Sequence, residues 1–571
     1  MIPKPQRLRG RPVSILTGVA FVIFASLMAR TVLPPTSSAG AASYVPVSGA
    51  GSTWSANAIS NWIAAVKALG MRINYAATGS TDGRHQFLAN TVDFAASDIP
   101  FQSHPEDGSP PELPAANTYA YVPVTAGGTT FMYNLLINGQ RVTNLRLSGQ
   151  NIAKIFTGQI VNWSDPAIKA DNPQLALPNR PIIPVVRSDG SGSTAQFTLW
   201  MINQYPAIWR SYCNRTGRAG ICGPTSFYPT VPGMIAQTGD LGVTQYVSQG
   251  FADGAIGYVQ YSYALGAHFP VAKMLNAGGY YTEPTPDNVA VSLLKAQIDT
   301  TDSDPSLYLT QKLDQVYGDP DSRVYPLSSY SYMIIPTTIQ GSFSTDKGRT
   351  LADFIYYAMC QGQQQMGLLG YSPMPINLVQ ASFNQITKIP GAVAQNINIQ
   401  SCHNPTFSPD GTNLLATIDP MPPACDKQGP IQCATGTGGD RTPTQLLSAG
   451  GTPGSSASGR TVGSAGSAGN GLSASGSTGS GTSAAGGTAA GGTGAFGSAG
   501  SSASCDPTTG QCSSGDSGGP AGALASAGPN AYTLASQGAS RTLLLALCGI
   551  LGVALILAPG ALGRYLRGRR R

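Results

Sequence analysis

The feature that most limits how this chain can fold lies near its C-terminus, where residues 434–537 are dominated by Gly, Ser, Ala and Thr. A segment of this composition cannot bury enough apolar surface to offset the entropy lost on ordering. We therefore predict a disordered stalk over residues 434–540 and a folded head over residues 42–433. A head of this length exceeds what one hydrophobic core usually holds, so two lobes are expected.

The N-terminal end reads as an export signal. Basic residues without any acid precede an apolar run over residues 13–29, and the small residues 39–41 offer an A-x-A cleavage site. We predict a signal peptide over residues 1–41, with an uncleaved anchor as the alternative. No cysteine lies near this point, so a lipid-anchored cysteine is not expected.

The C-terminal end reads as a membrane anchor. Residues 543–562 are apolar or small, which is long enough to cross a bilayer core of about 30 Å as a helix. We predict a transmembrane helix over residues 541–563. Five arginines follow in residues 564–571 and predict a cytoplasmic tail, which leaves the head outside the cell membrane.

The net charge of +6 comes from these two ends. Ten of the 33 basic residues lie in residues 1–30 and 564–571, so 23 basic side chains face 27 acidic ones elsewhere, a net charge of −4. A mildly acidic head argues against nucleic acid as a partner. An anionic ligand would have to be captured by local geometry.

Nine cysteines are present, and Cys548 lies inside the predicted transmembrane helix. The remaining eight are an even number in an oxidising compartment, which predicts disulfides. Proximity along the chain favours these pairs: Cys213 with Cys222, Cys425 with Cys433, Cys505 with Cys512 and, by remainder, Cys360 with Cys402. The alternative for residues 213–222, a zinc site, has a cysteine spacing that fits no common ligand pattern.

The head mixes short β-rich runs with helical stretches, which is typical of an α/β fold. The β-rich runs are 72–76, 130–137, 181–186, 255–259 and 331–335, and helical stretches include 56–69 and 195–203. Segments rich in Gly, Ser and Thr stand between strand and helix at 49–54, 78–83 and 187–194. Such turns present backbone N–H groups to anions, although a single one usually only caps its helix. Three in one head predict an anion-binding site.

The motifs that could indicate catalysis are weak in this sequence. GDSGGP at residues 515–520 matches the string around the nucleophile of trypsin-like proteases, but it lies in the stalk and no histidine has the matching context. The Gly/Ser turns lack the GK[ST] ending of a nucleotide-binding P-loop. The four histidines lack metal-ligand spacing, so neither catalysis, a metal nor a cofactor is expected.

Six blocks in order resemble the signature segments of the periplasmic phosphate-binding protein of the Pst transporter. They are GAGSTW at 49–54, GSTDG at 79–83, ANTVDFAASDIPF at 89–101, FTGQIVNWSDPAI at 156–168, VVRSDGSGST at 185–194 and GAIGYVQYSYA at 254–264. The resemblance implies a type II periplasmic-binding-protein fold, whose two α/β lobes are joined by crossing strands. It implies lobe one over residues 42–123 and 325–433 and lobe two over 124–324, with crossings near 122–127 and 325–336.

The resemblance also implies which residues contact phosphate. The set is Thr53 by hydroxyl and backbone, Trp54 by its N–H, Ser80, Asp98, Arg187, Ser191, the Gly192 N–H, and Ser193 where the family has Thr. Trp54 stands where the family usually has Phe, and Asp82 replaces a small residue, which puts a negative charge near the mouth of the site.

Two acidic residues have special roles by this resemblance. Asp98 would accept a hydrogen bond from the protonated oxygen of phosphate and reject sulfate, which has no proton to donate. Asp189 would orient Arg187 through an ion pair. The plainer interpretation of both is that they cap a turn or a helix start.

The resemblance implies a monomeric head that binds phosphate outside the membrane and delivers it to a permease driven by a cytoplasmic ATPase. A membrane-anchored sensor, scavenger or surface adhesin with the same fold is the alternative. A secreted serine hydrolase is a third hypothesis, based on the Gly-Ser strings alone. The sequence gives no functional account of residues 379–433.

Overall fold

The computed structural model describes residues 44–301 and 306–447. The chain divides into two units, residues 1–462 and 463–571, and every described residue belongs to the first. The predicted signal peptide, transmembrane helix, basic tail, Cys505–Cys512 pair and most of the stalk lie outside the described residues. Within the part that is described, no helix combines the length and the apolar character needed to span a membrane.

The described residues alternate strands with helices, as an α/β fold requires. The strands are β1 (Val47–Gly51), β2 (Ile73–Ala76), β3 (Phe94–Ser97), β4 (Tyr119–Tyr133), β5 (Leu136–Ile137), β6 (Gln140–Arg141), β7 (Arg146–Leu147), β8 (Ile183–Arg187), β9 (Ile235–Gln237), β10 (Ala255–Gln260), β11 (Val271–Leu275), β12 (Tyr281–Thr282), β13 (Gln297–Ile298), β14 (Gln311–Lys312) and β15 (Ser328–Pro336). The α/β prediction is confirmed.

Thirteen α-helices are formed by residues 44–301 and 306–447. They are α1 (Ala56–Lys67), α2 (Ser80–Leu88), α3 (Gly149–Phe156), α4 (Pro166–Asp171), α5 (Gly192–Gln204), α6 (Pro206–Arg215), α7 (Gly239–Val247), α8 (Tyr261–Gly266), α9 (Pro286–Ser292), α10 (Asp314–Tyr317), α11 (Thr345–Met359), α12 (Ile376–Ile386) and α13 (Leu414–Ile418). The predicted helices at 56–69 and 195–203 correspond to α1 and α5.

Most of the strands belong to one sheet with the order β2-β1-β3-β15-β4-β10-β8-β9. In its first half β1 is parallel to β2 and β3, and in its second half β8 is parallel to β9 and β10. Strand β11 adds to β4 and also pairs with β7 and β12. We call the first half with its helices lobe one and the second half with its helices lobe two.

Strand β4 belongs to both lobes. Its residues from Tyr119 to Gly128 pair with β15, and those from Thr129 to Tyr133 pair with β10, all antiparallel. Every residue of β4 and of β15 is buried. The crossings predicted near 122–127 and 325–336 fall on these two strands, whereas the exact lobe boundaries stay a prediction.

The turn between β1 and α1 depends on Gly51. Its backbone has φ +136°, and a Cβ atom here would lie 2.1 Å from the carbonyl oxygen of Ala96 in β3. Glycine adopts this conformation without a steric cost. On its buried face α1 packs Ile59, Trp62 and Val66 into the core, which fixes the helix start beside the sheet.

Three disulfides are present within the described ranges. They join Cys213 with Cys222, Cys360 with Cys402, and Cys425 with Cys433. These three pairings are the ones that the sequence predicted, and the zinc alternative for Cys213 and Cys222 is wrong.

The C-terminal part of the head packs differently from the prediction. Residues 424–447, which we call the strap, contact lobe two, although residues up to 433 were assigned to lobe one and residues from 434 to the stalk. The buried Arg146 side chain donates to three strap carbonyls, of Cys425, Gly429 and Ile431, at 2.9 to 3.3 Å. A buried guanidinium has five N–H donors that need acceptors, and the strap carbonyls supply three of these acceptors.

Ion pairs and hydrogen bonds also attach the rest of the strap to lobe two. Lys273 Nζ lies 2.6 Å from Asp426 Oδ2, and Arg441 Nη1 lies 2.5 Å from Glu283 Oε1. At the end of the strap the Leu447 N–H donates to the Gln174 carbonyl. Local composition alone did not show these contacts, because their partners lie up to 285 residues away.

Candidate anion-binding site

The three Gly/Ser turns come together where the parallel strands of both lobes end. The turn after β1 carries Thr53, the turn after β2 leads to Ser80, and the turn after β8 carries Ser191. Asp98 follows β3 directly. Because ligands of open α/β sheets bind outside the carboxyl ends of their strands, this is the expected place for a site.

Asp98 is buried and surrounded by hydroxyl groups. Its Oδ1 accepts from Ser52 Oγ and from Ser331 Oγ, both at 2.8 Å, and its Oδ2 accepts from Ser80 Oγ at 3.1 Å. Burial raises the pKa of Asp98 to about 6, and the charge of Asp240 adds to the rise, while the three hydroxyl bonds oppose it. At neutral pH the group is therefore an ionised acceptor enclosed by donors.

Arg187, at the end of β8, is shared between two carboxylates. Its Nε donates to Asp189 Oδ1 at 2.8 Å and its Nη2 donates to Asp189 Oδ2. Its Nη1 donates to Asp240 Oδ2 at 2.7 Å and, more weakly, to Ser193 Oγ at 3.4 Å. Burial lowers the pKa of Arg187, but the charges of Asp240 and Asp189 outweigh burial, so the pKa lies above its ordinary value.

Backbone N–H groups at the turns supply further donors. Several of them find no hydrogen-bond acceptor within the described part of the chain, among them those of Thr53, Trp54, Ser80, Gly192 and Ser193. They stand at or next to the starts of α1, α2 and α5, where helix geometry leaves N–H groups unused and the helix dipole favours negative charge. The arrangement can therefore hold an oxyanion through amides.

Gly192 brings the two lobes into close contact. A Cβ atom on this residue would lie 2.7 Å from Asp98 Oδ2 and 2.7 Å from Ser80 Oγ, both in lobe one. The lobes are also joined by the Thr81 N–H, which donates to the Gly190 carbonyl, and by Tyr263 Oη, which donates to the Thr53 carbonyl at 2.6 Å. The head is thus in a closed conformation.

Some predicted contact groups are engaged elsewhere in this structure. The Thr53 hydroxyl donates to Asp240 Oδ2 at 2.5 Å, and the Trp54 indole N–H donates to Thr129 Oγ1 at 3.1 Å. The Ser191 and Ser193 hydroxyls lie 2.8 Å apart and bond to each other. Asp82 is exposed and accepts from Gln86. For Trp54, only the backbone N–H is left for a ligand.

Three residues of the site were not predicted. Ser52 lies inside the first Gly/Ser turn and would have been found by including every hydroxyl of that turn. Asp240 is the second residue of α7 and follows Thr238 and Gly239, which form another small-residue turn at the start of a helix. Ser331 lies in the middle of β15 and has no local signal.

The site consists of one guanidinium, several amide donors and buried carboxylates. No group of three or more potential metal ligands is found in the described ranges. The chemistry available is the binding of a tetrahedral oxyanion that carries at least one proton, because Asp98 offers an acceptor among the donors.

Comparison with known proteins gives a consistent family. A family model described as a PBP superfamily domain matches residues 36–361. The phosphate-binding protein PstS of Xylella fastidiosa (strain Temecula1) is 32% identical over 353 residues, covering 62% of this chain and 87% of that protein. PstS of Pasteurella multocida (strain Pm70) is 29% identical over 337 residues, covering 58% and 88%.

Among solved structures, a phosphate-binding protein from Stenotrophomonas maltophilia is similar to 65% of this chain over 99% of its own length. The sequence identity is 19% and the TM-score is 0.43, a superposition too loose to support an argument. All three proteins are named as phosphate-binding proteins.

Proposed function

This chain belongs to the PBP superfamily and, within it, to the PstS phosphate-binding proteins, and from that membership we propose that its two-lobed head binds inorganic phosphate. The observation that supports this most strongly is the combination of one buried carboxylate acceptor, Asp98, with amide donors and Arg187. Phosphate at neutral pH has both anionic oxygens and a proton, and it fits such a mixed set. Sulfate lacks the proton.

In this proposal Thr53, Trp54, Ser80, Gly192 and Ser193 donate through their backbone N–H groups, and Arg187 supplies the charge. Ser191 and Ser193 are close enough to turn their hydroxyls from each other toward the ligand. Asp189 keeps the guanidinium group of Arg187 in its orientation through two hydrogen bonds. The lobes open and close about β4 and β15 to admit and release phosphate.

The experiment is equilibrium dialysis of the full-length chain against radiolabelled phosphate, with and without excess sulfate. We expect saturable binding that sulfate does not displace. Arg187→Ala should weaken binding by about 2–5 kcal/mol, because it removes the charged donor from a buried site. The control is Arg180→Ala, whose partly exposed side chain pairs with Asp253. Absence of phosphate binding by the unmodified chain would contradict the proposal.

We further propose that the head works outside the membrane and passes phosphate to an ABC permease. Three disulfides in the described ranges support an oxidising compartment. Deletion of this chain should lower uptake of labelled phosphate by its native cells. Unchanged uptake would favour an anchored sensor, scavenger or adhesin, and the dialysis result would stand.

A further inference from the structure

Asp240 is a third carboxylate at the site, and its position gives it a role of its own. It lies in the first turn of α7 and is 0% exposed. Its Oδ1 accepts from the Gln260 N–H at 2.8 Å. Its Oδ2 is shared by Arg187 Nη1 at 2.7 Å and the Thr53 hydroxyl at 2.5 Å, so it contacts both lobes.

Charged and titratable groups face Asp240 from several elements. They are Arg187 at the end of β8, Asp189 in the next turn, Asp98 after β3, Tyr263 in α8 and Tyr371 after α11. Burial raises the pKa of the Tyr263 and Tyr371 hydroxyls, so both are neutral at physiological pH. The one cation in this set is Arg187, against three carboxylates.

The donors of the site are partly consumed by these carboxylates. The Thr53 hydroxyl proton goes to Asp240, and the Ser80 hydroxyl proton goes to Asp98. Arg187 forms ion pairs with two carboxylates, Asp189 and Asp240, so its positive charge is more than balanced even without a ligand. The site is therefore richer in acceptors, and more negative, than a site built around a single Arg–Asp pair.

Building on the proposed phosphate binding, we propose that Asp240 makes the closed site select the phosphate monoanion over the dianion. The monoanion carries one charge less, which matters next to an excess of buried carboxylates. It also carries two O–H donors where the dianion carries one, and an acceptor-rich site can use both. Asp240 is the specificity-determining residue in this account.

The first test is the pH dependence of phosphate binding to the full-length chain by equilibrium dialysis. Between about pH 7 and about pH 9 the monoanion is depleted, so the apparent Kd for total phosphate should rise by more than about tenfold. Burial raises the pKa of Asp98 to about 6, so this group is mostly ionised across the interval, and its remaining protonation would be lost near the lower end. A Kd that is constant or falls with pH would overturn the proposal.

The second test replaces the carboxylate. Asp240→Asn keeps the shape and removes the charge, so the rise in Kd between about pH 7 and about pH 9 should shrink to less than about threefold, through tighter binding at the higher pH. Asp189→Asn is the matched control, since Asp189 pairs with the same guanidinium. We expect weaker binding in that variant, with a pH slope that shrinks less than in Asp240→Asn, because the Asp189 side chain is 11% exposed and that of Asp240 is 0% exposed.

Several outcomes contradict the role of Asp240. A slope in Asp240→Asn equal to that of the unmodified chain would place selectivity elsewhere. Weaker binding at every pH would reduce Asp240 to a positioning residue for Arg187. Thermal melting shows whether the variant is folded, and if it is not, Asp240→Glu tests the charge, because it has to keep the slope. No phosphate binding at any pH by the unmodified chain would instead reject the proposed function itself.

Discussion

Burial raises the pKa of Asp98 to about 6, and the charge of Asp240 adds to the rise, although three hydroxyls donate to this carboxylate. Its protonation state decides whether this position accepts or donates a hydrogen bond. Above a pH of about 6 it is an acceptor and requires a proton on the ligand. Below that pH it becomes a neutral donor, which an unprotonated oxyanion tolerates.

We therefore expect sulfate to compete with phosphate only in acid. Competition by sulfate should strengthen by about tenfold or more between about pH 8 and about pH 5, since a carboxylate facing an anionic oxygen is replaced by a donor. Asp98→Asn should admit sulfate at both pH values. Equilibrium dialysis of labelled phosphate against sulfate measures this. Equal exclusion of sulfate by Asp98→Asn and the unmodified chain would contradict it.

At this scale the sequence predicted residues that share a local pattern and missed those that do not. Thr53, Ser80 and Ser191 stand in Gly/Ser turns before helices, so their clustering could be expected from the chain alone. Ser331 reaches Asp98 from 233 residues away, inside a strand with no distinguishing neighbours. Such a contact depends on the pairing of β15 with β3, which no short window of sequence contains.

At the scale of elements, the start of α5 is placed against lobe one without room for a side chain. A methyl group on Gly192 would meet Asp98 and Ser80 at 2.7 Å, and both belong to the other lobe. Alanine has a higher helix propensity than glycine, so the substitution should not destabilise α5 itself. A side chain at position 192 should therefore hinder closure of the two lobes, while lobe two itself can still fold.

Gly192→Ala should weaken phosphate binding by about 1–3 kcal/mol, which is the usual cost of overpacking a tight contact. Its melting temperature should stay close to that of the unmodified chain. The control is Gly250→Ala, where a Cβ meets nothing within 4 Å. Equilibrium dialysis gives the affinity and small-angle X-ray scattering the fraction of open heads. Unchanged affinity would show that the contact is not needed for closure.

The disulfides differ in how much of the unfolded chain they restrain. Cys360–Cys402 closes a loop of 42 residues between α11 and the following turns, whereas Cys425–Cys433 closes one of 8 within the strap. Replacing the first pair with serines should lower the free energy of unfolding by about 4 kcal/mol, against about 2.5 kcal/mol for the second. Urea unfolding measures both. The reverse order would contradict an account based on loop entropy.

The sequence predicts which strands and helices exist better than it predicts where they begin and end. The predicted β run at 130–137 covers the end of β4 and all of β5, but β4 begins at Tyr119. Pro123, Gly127 and Gly128 interrupt the β-rich pattern of its first part, although all three are buried in the sheet. Burial of β4 on both faces comes from the sheet and not from the strand's own composition. Local propensity underestimates such a strand.

For the molecule as a whole, the strap shows where composition misleads. Residues 434–447 begin a Gly/Thr-rich stretch, yet they are hydrogen-bonded to lobe two, for example through Thr143, whose N–H donates to Thr444 Oγ1 at 2.8 Å. The strap is held by hydrogen bonds and ion pairs, together with the packing of Leu446 against the core. A sequence analysis based on apolar content therefore ends the head too early.

Ending the chain after Pro423 should destabilise the head relative to ending it after Leu447. The shorter form leaves Arg146 buried without three of its carbonyl acceptors and leaves Lys273 without Asp426. Removing the partner of a buried charge costs about 3–5 kcal/mol. Urea unfolding of the two truncated forms checks the difference. Equal unfolding midpoints would mean that the strap adds no stability to lobe two.

Leu447, the last residue that the structure describes, is attached to lobe two. Gln174 of lobe two is hydrogen-bonded to Leu447 through both its carbonyl and its side chain. The strap therefore belongs with lobe two. Because β4 and β15 connect the lobes, opening of the head changes the position of lobe one relative to lobe two and the strap together.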